Sequence, residues 1–571
     1  MVDLRRIPFD LKSMRPPLGA TERMLLLSIL IGLFSGLLIV CFHIAIDAIA
    51  WGSLGLPVGA RRVNTVIAPT LGAIAAVALV TFVFRRAKGS GINHARAAVH
   101  VLDGYVPASS VSGKFAACSI SIGTGASLGP EDPALQMGAG VASVLGRWFE
   151  LPRNQIRLIA PVGASAAIAA AFNTPITAVL FVIEQVIESW DAEILGSILL
   201  AAVSAVVVSR WYLGDQPLFR VPEFTLAHVS ELLVYGGIGI AGGLLATFYV
   251  RLMLFLKRRL RTRDPIRKLL TAGAAGAAVG LMGLWLPQVM GPGYPAIDNA
   301  LHGEFLWMTL LVLAVAKMAT TAVCFGADIP GGLFAPTLFV GAMIGGGIGT
   351  LAQQYWPAPT TAVSAYVLVG MGTFFAGVFR APMTSIFMAF EVSASYVVIL
   401  PVMVANTLAY LVSRRFAQEH LFDALARDEG IDLPSTEEQR ERRTARVEDA
   451  MVRGSMLVLT PGHKVAEALQ GLQTHGVDAA LVRLGPRAFA SVDRDELNGA
   501  GEDRRDALLR DTCRLAAVPH LYPDLALDSA LATFGGRRLL PVVRRDAPDQ
   551  LVGALSVDDV LRYFGLEAGK R

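Results

Sequence analysis

The chain has 571 residues, of which 54% are hydrophobic and only 17% charged, against roughly 25% charged in ordinary soluble proteins. That balance speaks against a large soluble core. The formal net charge of +4 gives no argument for a nucleic-acid partner.

In chain order, the first 22 residues carry Arg5, Arg6, Lys12 and Arg15 with no small-residue cleavage site behind them, so no removable signal is expected. By the positive-inside tendency this end is cytoplasmic, as are the basic segments 85–88 and 257–268. Apolar runs at 24–50, 63–84, 194–208, 232–255 and 269–286 reach or approach the ~20 residues that a membrane span requires. Other apolar segments, at 92–102, 134–148, 155–170 and 333–351, are short and cut by Gly and Pro. Broken helices are tolerated at membrane depth only where protein or a water-filled cavity surrounds them. Cys41, Cys118, Cys324 and Cys513 have no metal-ligand spacing and read as packing residues.

Two halves of the apolar region carry one series of motifs. Gly89-Ser90-Gly91 answers to Gly291-Pro292-Gly293, and Gly129-Pro130-Glu131-Asp132-Pro133 to Gly332-Leu333-Phe334-Ala335-Pro336. Phe172-Asn173-Thr174-Pro175 answers to Phe379-Arg380-Ala381-Pro382, and each of these is followed by an apolar stretch ending in an acid, Glu184 or Glu391. The offset stays between 202 and 207 residues throughout. Duplicated halves in an apolar chain point to a transporter with its site at the repeat interface. The halves are placed at about 24–213 and 231–416 within a membrane domain of 23–416.

A charged stretch follows, and 417–446 is expected to be a terminal helix and linker. From 447 to 571 the composition becomes that of a soluble α/β domain. A β-like run at 456–459 and a helix-like 464–475 form one unit; a helix-like 527–534, strands at 539–543 and 552–556 and a helix at 557–564 form another.

Glu131 stands among Gly129, Pro130 and Pro133 beside the start of an apolar helix. A helix N-terminus offers free N–H groups and a positive dipole end, so a carboxylate there can occupy an anion's position and be displaced by an anion or by protonation. The alternative is a plain N-terminal cap. Ser90 offers a hydroxyl at a second helix start, and Leu333 and Phe334 offer amides at a third. Donors without a cationic side chain would bind an anion and still release it quickly. Gly125-Ala126-Ser127-Leu128-Gly129 fits the G-x-S-x-G pattern of hydrolases, but it lies between membrane segments rather than between a strand and a helix, and no enzyme is expected.

These motifs resemble the three signatures of the CLC chloride channels and chloride/proton antiporters. The resemblance extends to Ala171–Pro175, Phe181–Glu184 and Leu400-Pro401, spans about 24–430, and fits the bacterial type that carries a C-terminal pair of CBS domains, placed at 447–498 and 510–567. It implies an all-α polytopic membrane domain of inverted repeats with broken and tilted helices, joined to a cytoplasmic α/β domain. It also implies a homodimer in the inner membrane with both termini cytoplasmic, and chloride or similar monovalent anions as cargo. Glu131 would be the gate, and Ser90, Gly91, Ile92, Leu333, Phe334 and Phe422 would contact the anion.

The departures bear on mechanism. Asn93 replaces the family's usual Pro, and Asp132 replaces a Gly beside the gate, where it presses on Glu131 by like-charge repulsion, the alternative being that it caps its own helix or faces solvent. Gln185 stands where exchangers carry an inner, proton-carrying glutamate, and glutamine does not titrate. Glu188, one turn on, is a candidate substitute, with a surface role as its alternative. Phe422 keeps the ring of the family's inner-gate tyrosine and lacks the hydroxyl. Both changes favour channel-like or weakly proton-coupled conduction over a coupled chloride/proton antiporter. A CBS-regulated divalent-cation channel is disfavoured because the helix starts supply amides and hydroxyls rather than converging carboxylates. No cofactor is required; Ser556 and Asp559 match the place where CBS domains hold a nucleotide ribose, so an adenine nucleotide is an optional ligand.

Overall fold

The structure is a computed structural model describing residues 20–55, 62–188, 192–214, 218–222, 228–355, 360–417, 419–431, 433, 445–454, 456–499, 501 and 504–564. Arg5, Arg6, Lys12, Arg15 and the charged run 437–443 lie outside these residues. The chain divides into two units, Met1–Leu433 and Pro434–Arg571, so the boundary falls inside the stretch expected to be a linker.

The first unit is helical: α1 (Ala20–Leu54), α2 (Arg62–Ala78), α3 (Gly91–His100), α4 (Ala108–Gly123), α5 (Glu131–Trp148), α6 (Arg153–Ile156), α7 (Ile159–Phe172), α8 (Pro175–Val182), α9 (Ala192–Leu213), α10 (Glu231–Leu260), α11 (Pro265–Gly283), α12 (Tyr294–Leu301), α13 (Trp307–Gly326), α14 (Phe334–Tyr355), α15 (Val363–Phe379), α16 (Pro382–Ser393), α17 (Ile399–Phe416) and α18 (Leu421–Glu429). Among the described residues seven helices are long and apolar enough to cross a membrane: Glu22–Leu54, Val63–Val83, Ile194–Tyr212, Glu231–Leu260, Trp307–Gly326, Phe334–Tyr355 and Tyr396–Phe416. With its mostly helical first unit and small α/β second unit, the chain is a multi-pass membrane protein. The segment 333–351, expected to be short and broken, belongs instead to a continuous 22-residue helix, α14. Gly341, Gly345 and Gly349 sit against α15 and Gly347 against α13 rather than interrupting the helix, because a glycine in a buried helix permits close approach without ending the turn.

The recurring motifs explain the recurring geometry. Both Phe172-Asn173-Thr174-Pro175 and Phe379-Arg380-Ala381-Pro382 end one helix and begin the next. Asn173 and Arg380 stop α7 and α15 in the left-handed region (φ 60 and 52), and Pro175 and Pro382 open α8 and α16, where the missing N–H costs nothing. The two acids that follow then cap each other's helix. Glu184 accepts from the amides of Met383 (3.0 Å) and Thr384 (2.9 Å), and Glu391 from those of Ile176 (2.9 Å) and Thr177 (2.7 Å). Glu391→Ala should therefore lower stability by about 1–2 kcal/mol, read as thermal unfolding in detergent; Gln at this position, which keeps an acceptor, should recover part of the loss.

Close helix pairs recur at the same offset. Gly138 of α5 faces Gly163 of α7, and Gly341 of α14 faces Gly370 of α15, with the space of a missing Cβ taken by the opposite carbonyl oxygen in each case. The two G-x-x-x-P motifs meet at the centre: the Gly129 amide donates to the Gly332 carbonyl at 2.8 Å and the Gly332 amide to the Gly129 carbonyl at 2.7 Å. That exchange brings the starts of α5 and α14 together.

The second unit holds two small sheets. Strands β1 (Val458–Leu459), β2 (Ala479–Arg483) and β3 (Phe489–Asp493) form one, with β1 parallel and β3 antiparallel to β2. Strands β4 (Leu539–Val543) and β5 (Leu551–Ser556) form the other, antiparallel with an irregularity at Val542/Val543. Each packs on helices over its own core, one including Val465, Leu472, Val482 and Val492, the other Leu527, Leu540, Leu555 and Val560.

Candidate functional site

Ser90 is the residue before α3, and its hydroxyl and the first amides of the helix are all engaged by one carboxylate. Asp132 Oδ1 accepts from Ser90 Oγ (3.1 Å) and the Ile92 amide (3.0 Å), and Oδ2 from the Gly91 amide (2.9 Å). Asp132 therefore caps α3 across the fold, although its own residue lies in the first turn of α5. The Ser90 amide donates to Glu429 Oε1 at 2.8 Å. Burial pushes the Glu429 carboxyl up from the usual range, opposed by Lys257, the Ser90 amide, Asn93 and Lys114.

Glu131 is fully buried. Its Oε1 accepts from the Tyr294 hydroxyl. Its Oε2 folds over Gly129, beside the Ala335 amide at the start of α14, and makes no well-aligned hydrogen bond. The carboxylate thus sits where α5 and α14 begin, with donors around it.

A cavity of about 60 Å³ brings together Ser90, Ile92, Leu333, Phe334 and Phe422 with Asp132 and Glu429. Gly91 and Glu131 do not line it. Phe422 stacks on Phe379 (ring centroids 5.5 Å apart, 10° between planes), and Phe379 lies 4.9 Å from Phe334. Phe181 and Phe375 pack on Phe334 as well, so the position without a hydroxyl belongs to an aromatic cluster beside the cavity.

The expectation of a site without cationic side chains is corrected: Lys88, Lys114 and Lys257 line the cavity. Lys88 directly precedes Gly89, whereas Lys114 and Lys257 reach the cavity from α4 and α10. Lys114 is engaged by the Gly89 carbonyl (2.5 Å) and Lys257 by Asp328 (3.5 Å). In the other half Lys317, fully buried in α13, donates to the Gly291 and Val289 carbonyls at 2.6 and 3.0 Å. Each half therefore ties the first glycine of its G-x-G motif to a buried lysine 25 or 26 residues on. That shared spacing was visible in the sequence and went unused. Tyr294 directly follows Gly291-Pro292-Gly293, but its bond to Glu131 spans 163 residues and nothing local in the sequence signals it.

Gln185 is buried in the wide turn Ile183–Ile187 that continues α8. Glu188 ends that turn with φ 56 and pairs with Arg96 at 2.5 Å, while Arg96 also holds Asp423, the neighbour of Phe422, at 2.8 Å. A relay through Glu188 would have to break that pair. Ser127 of the hydrolase-like pattern is buried and bonded to Thr321 and Thr320. In the second unit Ser556 and Asp559 bond each other, the Ser556 hydroxyl accepting from the Asp559 amide at 3.1 Å and Asp559 accepting from the Ser556 amide at 3.0 Å. They form the capping box of the helix Val557–Tyr563.

The starts of two helices meet at a buried carboxylate within a bundle of membrane-length helices, an arrangement suited to a transmembrane channel or transporter. The voltage gated chloride channel family matches residues 71–414, and the chain belongs to that family, the CLC proteins. A ClcB-like protein of Ralstonia nicotianae is 31% identical over 428 residues, covering 72% of this chain and 99% of the relative. The H(+)/Cl(−) exchange transporter ClcA of Cronobacter sakazakii is 29% identical over 311 residues, covering 53% and 67%. Among solved structures, a slow cyanobacterial Cl−/H+ antiporter aligns with a TM-score of 0.65 at 23% identity, over 71% of this chain and 98% of that one. A eukaryotic CLC transporter aligns with a TM-score of 0.62 at 17% identity, over 94% and 98%.

Proposed function

We propose that the protein carries chloride and similar monovalent anions across the inner membrane, gated by Glu131, with weak or no coupling to protons. The observation that carries this reading is the buried Glu131 carboxylate at the joined starts of α5 and α14, where it competes with an anion for the same donors. Weak coupling is supported by Gln185 at the usual relay position and by the ion pair that occupies Glu188. In liposomes with opposed chloride and pH gradients, chloride should run down its gradient without a fixed proton counterflow. Uphill proton movement at constant stoichiometry would overturn weak coupling and favour the chloride/proton antiporter, the activity named for the ClcA relatives.

Membership of the family supports a further reading, a homodimer in which each subunit has its own path and both termini are cytoplasmic; light scattering of the detergent-solubilised protein tests the first point. The second unit is assigned as a CBS pair on its two sheet-and-helix modules, and an adenine nucleotide is its proposed ligand. Because Ser556 and Asp559 already satisfy each other, binding would have to recruit the Ser556 hydroxyl out of the capping box. ATP should raise the unfolding temperature of the full chain, and Ser556→Ala should abolish that rise; no rise in the parent protein removes the nucleotide from the proposal.

A further inference from the structure

The donors at the start of α3 are filled by a side chain. Ser90 Oγ, the Gly91 amide and the Ile92 amide all point to the Asp132 carboxylate at 2.9–3.1 Å. A carboxylate held by three donors at a helix N-terminus is held as a free anion would be. Asp132 also lines the cavity shared with Lys88, Lys114, Lys257 and Glu429, so this is a position that opens toward a cation-lined space rather than a sealed cap.

Asp132 and Glu131 are consecutive, and consecutive side chains on a helix diverge by about 100°. Glu131 turns toward the Ala335 amide of α14 and Asp132 toward α3, so two adjacent carboxylates stand at two different sets of anion donors. We propose that Asp132 is a second gate beside Glu131: its carboxylate fills the anion donors at the start of α3 and must leave Ser90, Gly91 and Ile92 before an anion can take them. This rests on the anion-transport reading above and adds a gate to it.

The test uses the full chain with Asp132→Gly, which vacates all three donors, and Asp132→Asn, which keeps the size and removes the charge. Chloride binding is read by calorimetry in detergent, flux in liposomes, and stability by thermal unfolding. Asp132→Gly should bind chloride about tenfold more tightly or better, with Asp132→Asn between it and the parent. In the Glu131→Gln background, adding Asp132→Asn should raise chloride flux further, since each carboxylate holds its own set of donors. Unchanged chloride binding in both single variants, together with lowered stability, would reduce Asp132 to a cap of α3 and overturn the second gate. If Asp132→Gly does not fold, Asp132→Asn decides alone: binding equal to the parent overturns the proposal. A parent protein that moves no chloride counts against the transport reading, whereas the binding comparison still reads Asp132 by itself.

Discussion

Glu131→Gln should open the chloride path at neutral pH and remove most of the acid activation of flux. The carboxylate is fully buried, one oxygen takes the Tyr294 hydroxyl, and the other lies beside the Ala335 amide. A hydrogen bond to a charged acceptor contributes about 1.5–3 kcal/mol and one to a neutral acceptor about 0.5–1.5 kcal/mol. Glutamine keeps the shape of the side chain and gives up that difference. A loss of about 1 kcal/mol in the gate's hold corresponds to roughly a fivefold gain in open path. Chloride efflux from liposomes, followed with an electrode from acid to neutral pH, measures it. Tyr294→Phe removes the hydrogen bond to Glu131 altogether and leaves the carboxylate, so it should open the path at neutral pH at least as far while keeping the acid activation. A Glu131→Gln protein with the parent's rate and pH profile would remove Glu131 from the gate.

Gly138→Val should prevent a stable membrane unit from forming. A Cβ at Gly138 would lie 2.1 Å from the Gly163 carbonyl oxygen and 2.5 Å from the Ala167 Cβ. The first contact is backbone, so no rotamer relieves it, and α5 and α7 would have to separate. Overpacking of this kind costs about 1–3 kcal/mol for added methylenes in a core that can shift, and a clash with backbone sets a larger demand. Gly370→Val, 2.3 Å from the Gly341 carbonyl oxygen, should fail alike in the other half. Gly237 of α10 has no atom within 4 Å of its Cβ position, and Gly237→Ala should instead gain up to about 1 kcal/mol from helix propensity. Thermal unfolding and size-exclusion profiles in detergent separate these outcomes; parent-like behaviour of Gly138→Val would show that the α5–α7 contact is not limiting.

The parts of the site that sequence analysis reached are those where backbone conformation demands a residue type. Gly129 and Gly332 had to be small because two backbones exchange hydrogen bonds there, and Pro175 and Pro382 mark helix starts that follow left-handed residues. Glu184 and Glu391 were noticed only as acids ending a run; that each caps the other half's helix is a contact over more than 190 residues. Glu429 was not singled out at all, since nothing near it in the chain announces a partner 339 residues away.

Duplication, membrane class and the positions of the helix starts were determined along the chain, because apolar length, proline placement and glycine requirements are local properties of a backbone. Which carboxylate meets which donors was decided only by the packing of α3, α5, α14 and α18. A cap reads only as an acid near a helix start, and for Asp132 the helix it serves is α3 rather than its own. The distances between side chains from different helices depend on how the helices cross, and no spacing within the sequence encodes that.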